Sequence, residues 1–193
     1  MNSKTFIGAA VMSLLAGVWS PPAAWCGGEG GIPPETVADY IHAVIEADRT
    51  VYTVHVVERM QKQGGAVASE NWRAATKTLP LPAQFLKEAS DLAAKTGTQV
   101  RYRLISLWPI NPLSGPDNDM ERKGLEAVRQ HPERPSTGTV MIGDQRYFQA
   151  IYADRAWSQA CIDCHNAHPL SSKRDFKMND VMGGIVIEIP VEP

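Results

Sequence analysis

Residues Cys161-Ile162-Asp163-Cys164-His165 form a C-x-x-C-H sequence. One turn of backbone at this spacing brings two thiols within reach of the two vinyl groups of a single haem. The adjacent histidine then sits under the iron as proximal ligand. Two other chemistries use similar residues. A thioredoxin-type redox pair needs a strand-to-helix context and has no ligand histidine after it. A structural zinc site needs four Cys/His ligands. His168 would be the fourth here, with the other three crowded into a single short run. The motif therefore predicts one covalently attached haem c, held by Cys161 and Cys164 with His165 on the iron. Cys26 is left over.

One haem needs a second axial ligand or an open sixth position. His42, His55, His131, His168 and the methionines are available. On a helical wheel at about 100° per residue, Tyr40, Ile41, Val44, Ile45, Ala47, Val51, Tyr52, Val54 and Val56 fill one broad arc. His55 falls near its centre. His42 and Met60 fall on the opposite side, among Glu46, Arg49 and Thr53. His55 is thus the histidine expected to face the core and to be the second metal ligand, with Met60, Met182 or a vacant position as the alternatives. Arg103 and Arg146, each in a strand pattern beside aromatics, are expected to neutralise haem propionates. Arg101, Lys173 and Arg174 are weaker candidates. Trp108, Tyr147, Phe148 and Trp157 suit a core or a pocket wall.

These side chains need elements to position them. The chain has 193 residues, enough for one domain with a real core. Residues 1–25 read as an export signal: Lys4, the apolar run Phe6–Trp19, then Ala23 and Ala24. Residues 26–35, rich in Gly and Pro, read as a flexible leader, and 36–193 as a single domain. The pattern predicts a long helix over 36–62, stopped at Gly64-Gly65, and a second over 82–95 with Gly97 as its stop. A strand is expected over 100–108 and a helix over 119–130. A hairpin then turns at Gly143-Asp144, followed by a loop region carrying the C-x-x-C-H and a last strand ending at Pro190. The class is α+β, an antiparallel sheet flanked by helices. Lys and Arg total 19 against 21 Asp and Glu, a formal net charge of −2, so no electrostatic footprint for nucleic acid exists. Beyond the signal, no run is apolar enough to span a membrane.

Three blocks of sequence together resemble a family. The first is Arg103-Leu-Ile-Ser106, Asn111-Pro112, Pro116 and Glu121-Arg-Lys-Gly-Leu125. The second is Arg146-Tyr147-Phe148, Ile151 and Cys161–His165. The third is Gly183-Gly184 through Pro190. They are similar to the single-haem c-type domains with a PAS-like fold, found as exported proteins and as sensor input domains. The resemblance covers about residues 35–190. It implies a PAS-like sheet, haem c on Cys161 and Cys164, His165 as proximal ligand, and a role in redox or small-ligand sensing. It also implies a distal cysteine on the long helix. This chain departs from that, since no cysteine lies between Cys26 and Cys161.

The expected function is an exported mono-haem protein that senses redox state or a diatomic gas, or transfers electrons, with a redox or signalling protein as partner outside the cytoplasm. A plain electron carrier is the alternative. It is weakened because such carriers place the C-x-x-C-H near the amino terminus, whereas only 28 residues follow His165 here. A hydroxylamine-oxidising haem enzyme is a third reading, and it lacks an evident distal carboxylate.

Overall fold

The computed structural model describes residues 31–191. The expected export signal at 1–25, Cys26 and most of the expected leader lie outside those residues. Helix α1, Pro34–Val51, begins two residues ahead of the expected Thr36. Pro34 occupies the first turn, where its missing N–H costs nothing and its fixed φ suits a helix. Helical backbone continues through a wider π-helical stretch, Tyr52–Glu58, and a last α-helical turn, α2, Arg59–Lys62. Gly64, with φ of 67°, ends it, and the Gly65 N–H closes on the Met60 carbonyl at 3.0 Å.

A minimal parallel pair, β1 (Val67–Ala68) with β2 (Thr78–Leu79), follows. Helix α3, Pro82–Ala93, tightens into a 3-10 turn and stops at Gly97, whose φ is 84°. Strand β3 spans Arg101–Ile105. It is shorter than expected because Ser106 turns the chain: its hydroxyl donates to the Met182 carbonyl at 2.7 Å and accepts the Trp108 N–H at 3.0 Å. Helix α4, Asp119–Gln130, is capped by Asn118, whose side chain accepts the Glu121 N–H. The hairpin of β4 (Ser136–Ile142) and β5 (Gln145–Arg155) leads to helix α5, Gln159–Ala167, and strand β6 is Val181–Pro190.

The sheet is antiparallel throughout, in the order β3-β6-β5-β4. Both faces of its central strands are covered, so β5 and β6 carry long buried runs instead of an alternating pattern. On one face Phe148, Ala150, Tyr152, Ile185 and Ile187 pack with Ala38 and Ile45 of α1 and Leu86 of α3. On the other, Ile105, Ile151 and Val186 pack with Leu125 and Val128 of α4. Near the end of β5 the register slips between Asp154 and Arg155. Such a bulge re-aims the strand, and β5 then turns into α5. Among the described residues no helix is long and apolar enough to cross a membrane.

Candidate functional site

The C-x-x-C-H does not lie in a loop, as the sequence reading had it, but on α5. Ser158 caps this helix, its hydroxyl accepting the Ala160 N–H at 3.1 Å. On a helix, positions i, i+3 and i+4 share one side. Cys161, Cys164 and His165 therefore form one face of α5. Ile162, on the adjoining flank, enters a cluster with Ala156, Phe176 and Met182, against which Cys161 also packs. Cys161 is half-buried and Cys164 exposed, and both are free thiols. The His165 ring meets Phe176 edge-on, 5.9 Å between centroids, and Trp108 meets the same ring edge-on at 5.8 Å.

The long helix supplies the opposite wall. Cys161 lines a narrow crevice with Arg49, Thr53, Val54, Trp157 and Ser158. Arg49 forms a two-pronged ion pair with Asp154, the second contact at 3.1 Å, and both side chains are largely shielded. One turn past Val54, Glu58 accepts a hydrogen bond from Lys62 Nζ at 3.2 Å and lies beside the Ser158 hydroxyl and the Ala160 N–H at the start of α5. These polar groups, Ser158 first, hold its carboxyl below the usual glutamate range.

Burial sets the protonation states. It pushes both thiols up, Cys161 by burial against the partly offsetting Arg49 charge, and Cys164 by burial with Cys161 and Glu70 beside it. It pulls His165 down, with Asp154 opposing and Arg49 and His168 reinforcing the shift. At neutral pH the His165 imidazole is neutral and offers a ring-nitrogen lone pair. Its Nδ1 is buried without a hydrogen-bond partner.

These features fit a covalently held haem. Two thiols and a neutral imidazole share one helical face, and an unpaired buried ring nitrogen sits among them. Zinc fits poorly. Among the described residues, no group of three or more His, Cys, Asp or Glu side chains is placed to hold a bare metal ion.

The structure redistributes the other expected site residues. His55 is exposed and does not face the core. Ile45 is buried as the wheel expected, but the inward face also takes in positions the wheel placed outside: Thr53 is buried, and His42 and Arg49 lie half-buried, alongside the buried Ala38 and Val57. Two physical reasons account for this correction. Polar inward residues are paired, Arg49 with Asp154 and Thr53 with the Arg49 carbonyl at 2.8 Å. The π-helical stretch also carries more residues per turn, which shifts every later position on the wheel. His42 stacks on Tyr152 with centroids 3.9 Å apart, and its Nε2 is buried without a hydrogen bond, with Glu46 Oε2 4.0 Å away. Burial lowers its pKa against the opposing charges of Glu46, Asp39 and Asp154.

Met60 folds over Gly65 at the end of the helix. Met182 packs in the cluster behind Ile162. Arg103 does not reach the motif side. It lies on the α4 face of the sheet, paired with the buried Glu121 and with Asp117. Arg146 is exposed near the far end of β5, eight strand residues from Asp154, or roughly 26 Å. His168 accepts the Leu170 N–H and lies 3.6 Å from Glu70. Arg49, Glu58 and Asp154 were not among the expected site residues, and His42, available as an axial ligand, was expected on the outer side of the helix. One signal was available: Asp154 is an acid at the end of the largely apolar run Tyr147–Ala153, and it needed a partner.

A family model described as Tll0287-like matches residues 34–190. Among curated proteins, none matches the sequence. The chain is similar in fold to the crystal structure of the cyanobacterial heme-protein Tll0287, with 14% sequence identity and a TM-score of 0.48. The match covers 82% of this chain and 97% of that one.

Proposed function

Since the chain belongs to the Tll0287-like family, we propose that it is an exported protein carrying one haem c and responding to redox state or to a small ligand. The observation that carries this reading is the single face of α5 bearing Cys161, Cys164 and His165, with Cys161 lining the crevice under the long helix. Cys161 and Cys164 would hold the haem through thioether bonds, and His165 would be its proximal ligand. When bound, the group supplies an iron that changes oxidation state and can take a diatomic ligand.

The chain's own residues do the rest. Burial keeps His165 neutral, so it needs no deprotonation to act as a ligand. Ser158 fixes the start of the motif helix, with Glu58 beside it. The Arg49–Asp154 pair places one cation and one anion beside Cys161 without adding net charge. The solution environment would be the periplasm or outside the cell, and a separate redox or signalling protein would receive the signal.

The test is an absorption spectrum of protein matured with haem-attachment machinery, taken oxidised, reduced, and reduced with carbon monoxide. Covalent haem that survives denaturation, and a carbon monoxide shift that is slow or partial, is expected. Covalent haem retained after Cys161→Ala with Cys164→Ala would overturn the attachment. A low-spin spectrum indifferent to carbon monoxide would favour a plain electron carrier. High-spin iron with hydroxylamine turnover would favour an enzyme.

A further inference from the structure

A histidine that holds a metal through one ring nitrogen almost always gives the N–H of the other to an acceptor, and that bond fixes the plane of the ring. His165 has no such bond: its Nδ1 is buried without a hydrogen-bond partner among the described residues. Another contact must therefore hold the ring. Phe176 supplies one. Its ring stands at 88° to the imidazole, with centroids 5.9 Å apart. Edge-to-face pairs in this range are attractive and directional.

Phe176 can serve only if it is itself fixed, and it is. It is 3% exposed. Trp108 meets its ring at 76°. The Lys173 ammonium lies over both rings, 4.9 Å from the Phe176 centroid and 5.5 Å from that of Trp108. The Phe176 backbone is gripped by the residue that follows the motif histidine. Asn166 Nδ2 donates to the Phe176 carbonyl at 3.0 Å, and the Phe176 N–H donates to Asn166 Oδ1, also at 3.0 Å. One side-chain amide thus satisfies both backbone polar groups of one residue. Segment 168–180 has no helix or strand, so these two bonds do there what a sheet ladder does elsewhere. The far end of the segment is anchored too: the Asn179 N–H donates to the Ala156 carbonyl, and the Ala156 N–H to the Asp180 carbonyl. His165, Asn166 and Phe176 form a closed loop. Two neighbours on α5 engage the same residue, one through its ring and the other through its backbone.

We propose that Phe176, held by Asn166, is the positioning residue of the His165 ring and takes the place of the missing hydrogen bond to Nδ1. The inference rests on His165 as the proximal ligand of the haem, and deepens that reading by naming what sets the ligand's orientation. Contacts to an axial ligand tune the iron it holds, so the clamp reaches the spectrum as well as the fold.

The test is electron paramagnetic resonance of the oxidised, haem-loaded protein, with a haem-stained denaturing gel and a thermal melt for each variant. The wild type should give one narrow signal. Asn166→Ala and Phe176→Leu should each shift its g values and broaden it. The double variant should go no further than Phe176→Leu alone, since both act through one contact. Asn166→Asp keeps the bond from the Phe176 N–H and loses the one to the carbonyl. It should move the signal the same way by less, and it carries the test if Phe176→Leu does not fold. Ile162→Val loosens the same apolar cluster without removing either partner of the clamp, and should lower the melting temperature with the signal unchanged. Covalent haem whose signal ignores the Asn166 and Phe176 changes overturns the inference and leaves the haem reading standing. So does a signal that Ile162→Val moves as far as Phe176→Leu, because general packing would then set the ring. A wild type that attaches no covalent haem overturns both.

Discussion

Arg49 and Asp154 lie 105 residues apart in sequence and meet as a two-pronged ion pair at the point where β5 leaves the sheet for the motif helix. Each is mostly shielded from water, with side-chain exposures of 16% and 10%. Removing one partner of such a pair strands the other charge. Arg49→Ala should therefore cost about 3 kcal/mol. For a domain of this size that lowers the melting temperature by roughly 6–12 °C. Asp154→Asn in the Arg49→Ala background should recover part of the loss, since it removes the stranded charge. Thermal melts of the three variants check this; equal losses with no coupling would show that the pair is not formed in solution.

Glu58 and the start of α5 make a prediction about pH. The Ser158 hydroxyl, then Lys62 and the Ala160 N–H, favour the ionised carboxylate in the folded state. Its folded pKa lies below the unfolded value of about 4.3. The stabilisation is thus fully present above that unfolded value and is lost as pH falls through the folded pKa. A charge at a helix N-terminus contributes about 0.3–1 kcal/mol. Glu58→Gln should lose that much at pH 7 and show a shallower fall in stability between pH 5 and pH 3 (roughly the window spanned by the shift). Urea unfolding across that range measures it. Parallel pH curves for the two proteins would contradict the contact.

His42 and His55 should behave oppositely. His55 is exposed, so His55→Ala should change stability by less than about 0.5 kcal/mol and leave the visible spectrum of haem-loaded protein as it was. His42 is stacked on Tyr152 with a buried ring nitrogen, and His42→Ala should cost about 1–3 kcal/mol. Burial lowers the His42 pKa, so the folded state resists its protonation. Its contribution is complete above the unfolded value near 6.5 and shrinks as pH falls from there toward the folded pKa. Chemical unfolding of wild type and His42→Ala at pH 7.5 and 5.5 should show a smaller difference between them at the lower pH. An equal difference at both would place His42 in solvent.

The sequence carried the elements better than the faces. Capping and stop residues marked the ends of the helices: Asn118 before α4, Gly97 after α3, Gly64 after the long helix. The Gly143-Asp144 turn marked the hairpin. The motif itself was visible as letters. What sequence could not convey was which side of the long helix faces the sheet. That helix has two apolar stripes, and the buried one is broken by Arg49 and Thr53. A wheel centred on the most continuous apolar arc picks the exposed stripe of Tyr40, Val44 and Val51, and so turns His55 inward in error. Only Asp154, brought close by the fold, explains why an arginine belongs on the buried side. The π-helical stretch was also illegible, because nothing in the run Tyr52–Glu58 distinguishes it from an ordinary helix by composition.

Gly183 and Gly184 lie near the start of the last strand, where it crosses the site end of the sheet, and they are glycine for reasons of space. A Cβ on Gly183 would stand 2.3 Å from the Ile105 carbonyl oxygen, a backbone atom of the neighbouring strand that cannot rotate away. A Cβ on Gly184 would meet the Ile151 Cγ2 methyl at 2.8 Å, the end of the Leu125 side chain at 3.0 Å and the Tyr152 carbonyl oxygen at 3.2 Å, none as close as the Gly183 contact with backbone. The two substitutions should therefore differ. Overpacking costs about 1–3 kcal/mol. Gly183→Ala should reach the upper end of that range, because it forces β3 away from β6 beside Ser106, whose hydroxyl holds the Met182 carbonyl. Gly184→Ala should fall at the lower end. Met182 packs against Ile162 of the motif helix, so Gly183→Ala should also loosen α5. Amide hydrogen exchange over residues 159–167, with urea unfolding of both variants, reads out the two effects. Equal losses for both, with exchange in α5 unchanged, would mean that the strands absorb the methyl without moving the motif.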